Sequence, residues 1–157
     1  MMGLYRSVVS DPLEALSLPV QVALPEADAK ARRLYGHPVP APVAVHLILD
    51  TGSRLSSLTP EILGQVQAPT CGRTRVQGSV GEGPATLYKV RMEFLRSSLA
   101  PLPAMVVVGL AMPTKLRADF QGVLGRDLLS RWEIYYSGLR GRLTIRDHPS
   151  FWSWLCW

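Results

Sequence analysis

The stretch VAVHLILDTGSRLSSL, residues 43–58, places an acid directly after an apolar run. Val43 to Leu49 is almost entirely apolar and rich in β-branched residues, which predicts a strand covered on both faces. Asp50 comes next, and a strand of this kind does not end on a carboxylate without a reason. Asp before Gly is also common in turns, because its side chain bonds nearby backbone N–H groups. The tetrapeptide Asp50 to Ser53 alone therefore indicates a turn and leaves its chemistry open.

The composition is that of one globular domain. The 157 residues are 47% hydrophobic and 18% charged, and 13 Gly and 13 Pro are scattered along the chain. Such frequent turn residues favour short strands over long helices. The apolar segments predict about seven or eight short strands with one or two short helices. We therefore expect an all-β domain, either a closed barrel or a sandwich.

Four segments carry specific predictions. Pro19 to Pro25 alternates between apolar and other residues and predicts a strand. Glu26 to Pro42 is polar, basic and proline-rich, which predicts a long exposed loop. Gly81 to Pro84 lies between two strand-like segments and predicts the flexible tip of a hairpin. Gly122 to Trp132 begins as a strand and continues with the spacing of a helix.

Charge and cysteine usage exclude several classes of function. The net charge is +5, but the cations are spread along the chain, so we expect no nucleic-acid partner. Cys71 and Cys156 lack metal or redox spacing, and we expect no metal and no cofactor. No apolar run is long enough for a bilayer, and residues 1–16 turn acidic too early for a secretory signal. The expectation is a cytoplasmic protein without a membrane partner.

The turn at Asp50 also suits a specific chemistry. Backbone amides and the Ser53 hydroxyl can hold the carboxylate, Gly52 permits a close approach, and Thr51 can bond a second copy of the loop. If a second such turn faces the first, two carboxylates meet and share one proton. One carboxylate then takes a proton from water while the other protonates the carbonyl oxygen under attack. Such a pair hydrolyses an amide without a metal.

Three ordered motifs carry a resemblance to a known family. Residues 47–53, LILDTGS, resemble the active-site turn of aspartic proteases. Gly122 to Leu129, GVLGRDLL, resembles the block before the C-terminal helix of retroviral-type proteases, the retropepsins, and residues 129–145 look like the ending of bacterial retropepsin-like proteins. A glycine-rich hairpin at Gly78 to Gly83 lies between them, where the family has its flap. The resemblance covers roughly Val43 to Ile145.

The resemblance implies a fold, an activity and an assembly. The fold would be a closed acid-protease (pepsin-like) barrel of a single lobe, with one short C-terminal helix, in residues 19–147. Residues 1–18 would be an N-terminal extension, and residues 148–157 an apolar tail. Retropepsins homodimerise, so Asp50 would meet the Asp50 of a second copy on a two-fold axis. A peptide or protein substrate would bind as an added strand.

The resemblance also implies roles for individual residues. Asp50 would be the catalytic acid and base, and its neighbours Thr51, Gly52 and Ser53 would support the active site. The flap, which would close over the substrate, includes Gly78, Ser79, Gly81 and Gly83. A structural anchor at the start of the C-terminal helix would consist of Gly125, Arg126 and Asp127.

Two features depart from the family pattern. Retroviral enzymes often carry an acid shortly after the catalytic triplet, where it pairs with the arginine at the helix start and binds the substrate backbone. Here Arg54 stands in that neighbourhood. We therefore expect Arg126 to pair with Asp127 or Glu61 instead, and substrate contacts to differ. The second departure is the tail, whose residues 151–157 hold three of the four tryptophans.

Two other interpretations stay open on the sequence. The same fold could serve as a peptide-binding or oligomerisation module with little turnover. The intact Asp50 favours the enzyme, because a binding module has no need of Asp over Asn. A third interpretation, an unrelated β-barrel with a chance match at Asp50 to Ser53, is weaker because it leaves the second motif, Gly122 to Leu129, unexplained. His46, on the strand before Asp50, is interpreted as a packed or edge residue.

Overall fold

The computed structural model describes residues 2–8, 15–78 and 81–147 of the chain. Within them the strands are β1 (Leu4–Val8), β2 (Ser17–Ala23), β3 (Val43–Leu49), β4 (Ser57–Leu58), β5 (Thr70–Gly78), β6 (Gly81–Phe94), β7 (Leu102–Gly109), β8 (Gly122–Leu124), β9 (Trp132–Ser137) and β10 (Arg142–Asp147). The helices are α1 (Glu26–Leu34), α2 (Pro60–Gln65) and α3 (Arg126–Leu129), and a single 3-10 turn (Gly138–Arg140) joins β9 to β10.

Six strands form a closed barrel. Their order is β2-β3-β8-β4-β7-β6, and β6 pairs back onto β2. The register shows the closure, because Val20 of β2 lies opposite Val45 of β3 on one side and opposite Phe94 of β6 on the other. β5 pairs with β6 and forms the outer arm of a long hairpin. The prediction of an all-β domain built as a closed barrel of one lobe is confirmed.

The barrel core is filled by alternate side chains of its strands. Val20 and Val22 of β2 and Val45 and Leu47 of β3 are at most 2% exposed, as expected when successive side chains point to opposite faces. Burying each of these side chains contributes about 1.5–3 kcal/mol. His46, on the opposite face of β3, is exposed. The prediction that β3 is covered on both faces is therefore wrong, because β3 is a wall of the barrel with one face open.

A second, three-stranded sheet packs against this core. Its order is β1-β10-β9, with all strands antiparallel. Leu143 and Ile145 of β10 are fully buried on its inner face. Trp132, at the start of β9, packs edge-to-face on Phe94 of β6 with ring centroids 5.0 Å apart. This aromatic pair joins the sheet to the barrel, and such pairs add about 0.5–1.5 kcal/mol beyond the area that they bury.

The strand β1 is built into this second sheet. It pairs with β10 from Leu4 opposite Arg146 to Val8 opposite Arg142. Next to it, the buried carboxylate of Asp147 accepts hydrogen bonds from the N–H of Gly3 and, at 2.6 Å, from the N–H of Ala100. Part of the predicted N-terminal extension thus shares a sheet with the end of the predicted domain. The boundaries after residues 18 and 147 stay predictions.

The segment from Glu26 to Pro42 corrects one prediction, because its first half is the helix α1 and not a loop. The helical residues, EADAKARRL, include three alanines, which have the highest helix propensity. Acids stand in the first turn, and Arg32 and Arg33 stand in the last, so the charges oppose the helix dipole at both ends. The sequence did not predict this helix, because the prolines and polar residues of the segment favour a loop.

The hairpin of β5 and β6 corrects another prediction. Gly81 to Pro84 is strand and not turn, with Gly83 opposite Val76, and the pairing extends to Gly78 opposite Gly81. Ser79 and the tail, residues 148–157, lie outside the described residues. In the part of the chain that the structure describes, no helix is long and apolar enough to cross a membrane.

β8 lies between β3 and β4, and this arrangement positions the turn after β3. β8 runs parallel to β3, with Leu124 opposite Leu49, and antiparallel to β4, with Val123 opposite Ser57. The chain between β3 and β4, residues 50–56, must therefore cross over β8. The prediction that Gly122 to Trp132 begins as a strand and becomes a helix is confirmed by β8 and α3.

Two glycines make this crossing sterically possible. A Cβ on Gly122 would clash with the carbonyl oxygen of Ser57, and a Cβ on Gly125 would lie 2.6 Å from the carbonyl carbon of Leu55. Both clashes are with backbone, which cannot rotate away as a side chain can. A larger residue at Gly125 must push the 50–56 segment away, and a larger residue at Gly122 must push β4 away from β8.

We expect Gly125→Ala to lower the free energy of unfolding by about 1–3 kcal/mol, because it overpacks a backbone contact. Gly64→Ala on α2 is the matched control, since a Cβ there meets nothing within 4 Å. In a helix this second substitution stabilises by roughly 0.5–1 kcal/mol. Urea unfolding of both variants measures the difference. Equal stability of the two would show that the Gly125 contact relaxes without cost.

Candidate active site

Asp50 is placed by the end of β3 and by its bond to β8. Its N–H donates to the carbonyl oxygen of Leu124 at 3.0 Å, so the backbone of Asp50 continues the pairing of the two strands. The chain then turns at once, since the N–H of Ser53 donates to the carbonyl oxygen of Asp50 at 3.2 Å. The strand thus brings the carboxylate to a fixed point at the rim of the barrel.

Three donors hold the Asp50 carboxylate. The N–H groups of Gly52 and Ser53 donate to Oδ1 at 2.9 and 3.3 Å, and the Ser53 hydroxyl donates to Oδ2 at 2.6 Å. The hydroxyl lowers the pKa of Asp50 most; burial opposes it by raising the pKa, and the two backbone amides lower it further. In the single chain Asp50 is therefore an anion at neutral pH, a base or acceptor and not an acid.

The residues between Asp50 and Ser53 lie at the surface. Thr51 and Gly52 are exposed, whereas Asp50 and Ser53 are half-buried. A Cβ on Gly52 would stand 3.1 Å from Asp50 Oδ1, closer than most real contacts, so glycine keeps the carboxylate uncrowded. The turn therefore exposes Thr51 and leaves Asp50 partly accessible at the surface.

The predicted anchor grips this turn through the backbone. The N–H of Arg126 donates to the carbonyl oxygen of Ser53 at 2.9 Å, and that of Asp127 donates to the carbonyl oxygen of Arg54 at 3.1 Å. These are the first N–H groups of α3, which have no partner within the helix. The start of α3 and the turn after Asp50 consequently satisfy each other's free backbone groups.

Ser56, which sequence reasoning missed, connects the anchor to β4. The Asp127 carboxylate accepts from the N–H and the hydroxyl of Ser56 at 2.9 and 2.7 Å, and from the N–H of Leu128 at 2.9 Å. The Ser56 hydroxyl in turn accepts from the N–H of Gly125 at 2.9 Å. Ser56 is fully buried. Its only local signal in the sequence is its place next to the short strand β4.

The Arg126 side chain does not make the predicted ion pairs. It is exposed, while Asp127 is bonded to Ser56, and Glu61 pairs with Arg117. The expectation that Arg126 pairs with Asp127 or Glu61 is therefore wrong within the described residues. Arg126 contributes its backbone N–H, a role that any residue except proline fulfils, and the specificity of the anchor lies in Gly125 and Asp127.

The Asp50 turn forms one wall of a groove of about 700 Å³. Gly52 to Leu55 line that wall, and the hairpin residues Thr74 to Gln77 and Glu82 line the opposite one. Gly78 and Gly81 lie at the far end of the paired strands of this hairpin, and a Cβ on Gly83 would meet nothing within 4 Å. The hairpin thus stands where the flap is predicted; closure over a ligand stays a prediction.

Comparisons with known proteins found matches among solved structures only. No family model matches the sequence, and no curated protein matches it. Among solved structures, the chain is similar to an EIAV protease complexed with the inhibitor HBY-793. The two are 17% identical, with a TM-score of 0.48, over 78% of this chain and 92% of that chain. A likeness at this level says nothing about individual residues.

His46 does not belong to the groove beside Asp50. Its backbone N–H donates to the side-chain oxygen of Gln121 at 2.9 Å, while the N–H of Gln121 donates back to the His46 carbonyl at 3.0 Å. Its side chain is exposed on the outer face of β3. The described residues also contain no group of three or more His, Cys, Asp or Glu side chains that could hold a metal ion.

We expect Ser53→Ala to raise the pKa of Asp50 towards its ordinary value, because the variant loses the hydrogen bond that most favours the charged form. A carboxyl-detected NMR titration measures this pKa directly. Ser97→Ala is the control, since that hydroxyl donates to the backbone carbonyl of Phe94 instead of a carboxylate. An unchanged Asp50 pKa in Ser53→Ala would contradict the assignment of the hydroxyl.

Proposed function

We propose that this protein is an aspartic endopeptidase of retropepsin type, similar to the single-lobe bacterial members. The observation that carries the proposal is the Asp50 carboxylate, held by three donors at the edge of a groove with a hairpin as its opposite wall. A groove bounded by a strand hairpin suits an extended peptide, which pairs through its main chain. Peptides and proteins of the cytoplasm are the proposed substrates.

The chemistry needs a second carboxylate, and a second copy of the chain supplies it. A lone Asp50 with a lowered pKa is charged at neutral pH and has no proton to give. Two such turns related by a two-fold axis bring two carboxylates together, and since both cannot ionise, they hold one proton between them. The exposure of Thr51 beside Asp50 supports a contact between this residue and the partner turn.

The paired carboxylates perform hydrolysis by moving protons. The charged carboxylate takes a proton from a water molecule, whose oxygen attacks the peptide carbonyl carbon. The protonated carboxyl gives its proton to the carbonyl oxygen, which forms a tetrahedral diol. Collapse of the diol breaks the C–N bond: one carboxyl gives its proton to the leaving amine, and a diol hydroxyl returns a proton to the other carboxylate, which restores the shared proton. The hydroxyl of Ser53 and the N–H of Gly52 stabilise whichever carboxylate carries the charge.

A second candidate is a peptide-binding or oligomerisation module with the same groove. Arg54 favours it, because a cation stands where retroviral enzymes often carry a substrate-binding acid. The three-donor arrangement around Asp50 favours the enzyme, since the Ser53 hydroxyl and both backbone N–H groups donate to a carboxylate and would suit an amide poorly.

We expect Asp50→Asn to lower peptide cleavage by about a thousandfold or more, because the variant can neither share nor transfer the proton. A peptide library digested with the unsubstituted protein and the variant, followed by mass spectrometry, measures the loss. Asp119→Asn is the control, an equal change at an exposed loop residue outside the groove. Equal cleavage by the Asp50→Asn variant would remove the proposed mechanism.

We also expect the inactive Asp50→Asn chain to inhibit the active chain by forming mixed dimers with it. With a tenfold excess of Asp50→Asn chains, most active chains pair with an inactive partner, so activity falls by about tenfold at constant active chain. The same excess of Asp119→Asn chains should add activity instead. Sedimentation of each mixture verifies that dimers are present. A fully active monomer, or a mixture that keeps all its activity, would contradict the shared site.

A further inference from the structure

The groove beside Asp50 carries one positive charge that no described acid neutralises. Its charged lining residues are Arg54, Arg75 and Glu82. Arg75 and Glu82 form an ion pair at 2.7 Å across the hairpin and neutralise each other. Arg54 is exposed, and no acidic side chain of the described residues is found in an ion pair with it. The cation therefore lies on the Asp50 wall and not on the hairpin wall.

Hydrogen bonds hold the backbone of Arg54, whereas its side chain is exposed. The N–H of Asp127 donates to the Arg54 carbonyl, and the N–H of Arg126 donates to the carbonyl just before it. These bonds hold the backbone of Arg54, four residues after Asp50, against the start of α3. A guanidinium on a fixed backbone loses less freedom on binding than one on a mobile loop.

Apart from the proposed catalytic carboxylate at its edge, the described lining of the groove offers no equivalent site for a basic ligand. Beside Arg54, the same walls carry apolar side chains, namely Leu55, Val76 and Leu110. Glu82 is already bonded to Arg75, so a basic ligand would have to displace that pair. An acidic ligand meets an available guanidinium, which binds a carboxylate through two parallel hydrogen bonds.

We propose that the groove selects peptides with an acidic side chain close to the scissile bond, and that Arg54 binds this carboxylate. This inference rests on the proposed function, because it names the substrate class of the same site. The short distance in sequence between Asp50 and Arg54 limits the acid to the few residues beside the cleaved bond. The apolar lining favours an aliphatic neighbour next to that acid.

Peptides matched in every residue but one test this selection. At each position within about three residues of a cleaved bond, Glu is compared with Gln and Lys. We expect kcat/KM for the Glu peptide to exceed that for the Gln peptide by about tenfold at one position, as for a charge-assisted hydrogen bond. Arg54→Glu should invert the order and favour Lys. Arg140→Glu, an equal change on the turn between β9 and β10, should leave the preference intact.

Binding to the Asp50→Asn variant separates this inference from the proposed function. We expect this uncleaving variant to bind the Glu peptide more tightly than the Gln peptide, with a difference that shrinks at high salt. The preference should vanish when Arg54→Glu is added. Charge-selective binding without any cleavage by the unsubstituted protein would reject the protease and retain the ligand preference. Equal or absent binding of the two peptides overturns the inference, whether or not cleavage occurs.

Discussion

The close approach of two backbones, where residues 50–56 cross β8, is the constraint on which the site depends. Gly125, directly after β8, has no side chain, so the crossing segment lies against its backbone, and Gly122 likewise admits the backbone of β4 on the far side of β8. Because the contact is between backbones, hydrogen bonds form along it without help from side-chain geometry. Strand pairing therefore fixes the position of Asp50, because its own N–H donates to the carbonyl oxygen of Leu124.

Two carboxylates with similar partners have opposite roles in this arrangement. Asp50 and Asp127 each accept from a serine hydroxyl and from backbone N–H groups. The partners of Asp127 lie in the interior, where the fully buried Ser56 ties three elements together, so this carboxylate stabilises the fold. Asp50 is only half-buried, and the residues that follow it, Gly52 to Leu55, line the groove. The same hydrogen-bonding pattern thus makes one acid structural and leaves the other accessible to a ligand.

Local sequence patterns predicted strands and helices whose type depends on neighbouring residues, whereas contacts between residues far apart in the sequence were missed. The apolar run of β3 and the strand-to-helix change after Gly122 are local signals, and each predicted the correct type of element. Ser56 was missed because its partner, Asp127, lies 71 positions away, and no local pattern records that contact. α1 was missed because polarity and prolines around it outweighed its helix formers. The wrong pairing for Arg126 has the same origin, because the distant residues Arg117 and Ser56 decide where the neighbouring acids bond.

The carboxylate of Asp147 brings the beginning, the middle and the end of the described chain to one point. It is buried and accepts from Gly3, ahead of β1, and from Ala100, ahead of β7. Loss of Gly3 and β1 would remove an edge strand of the second sheet and leave the buried Asp147 carboxyl group with one donor fewer, at a cost of about 1–3 kcal/mol. β1 is therefore a structural member of the second sheet, and its loss would weaken the packing of that sheet against the barrel.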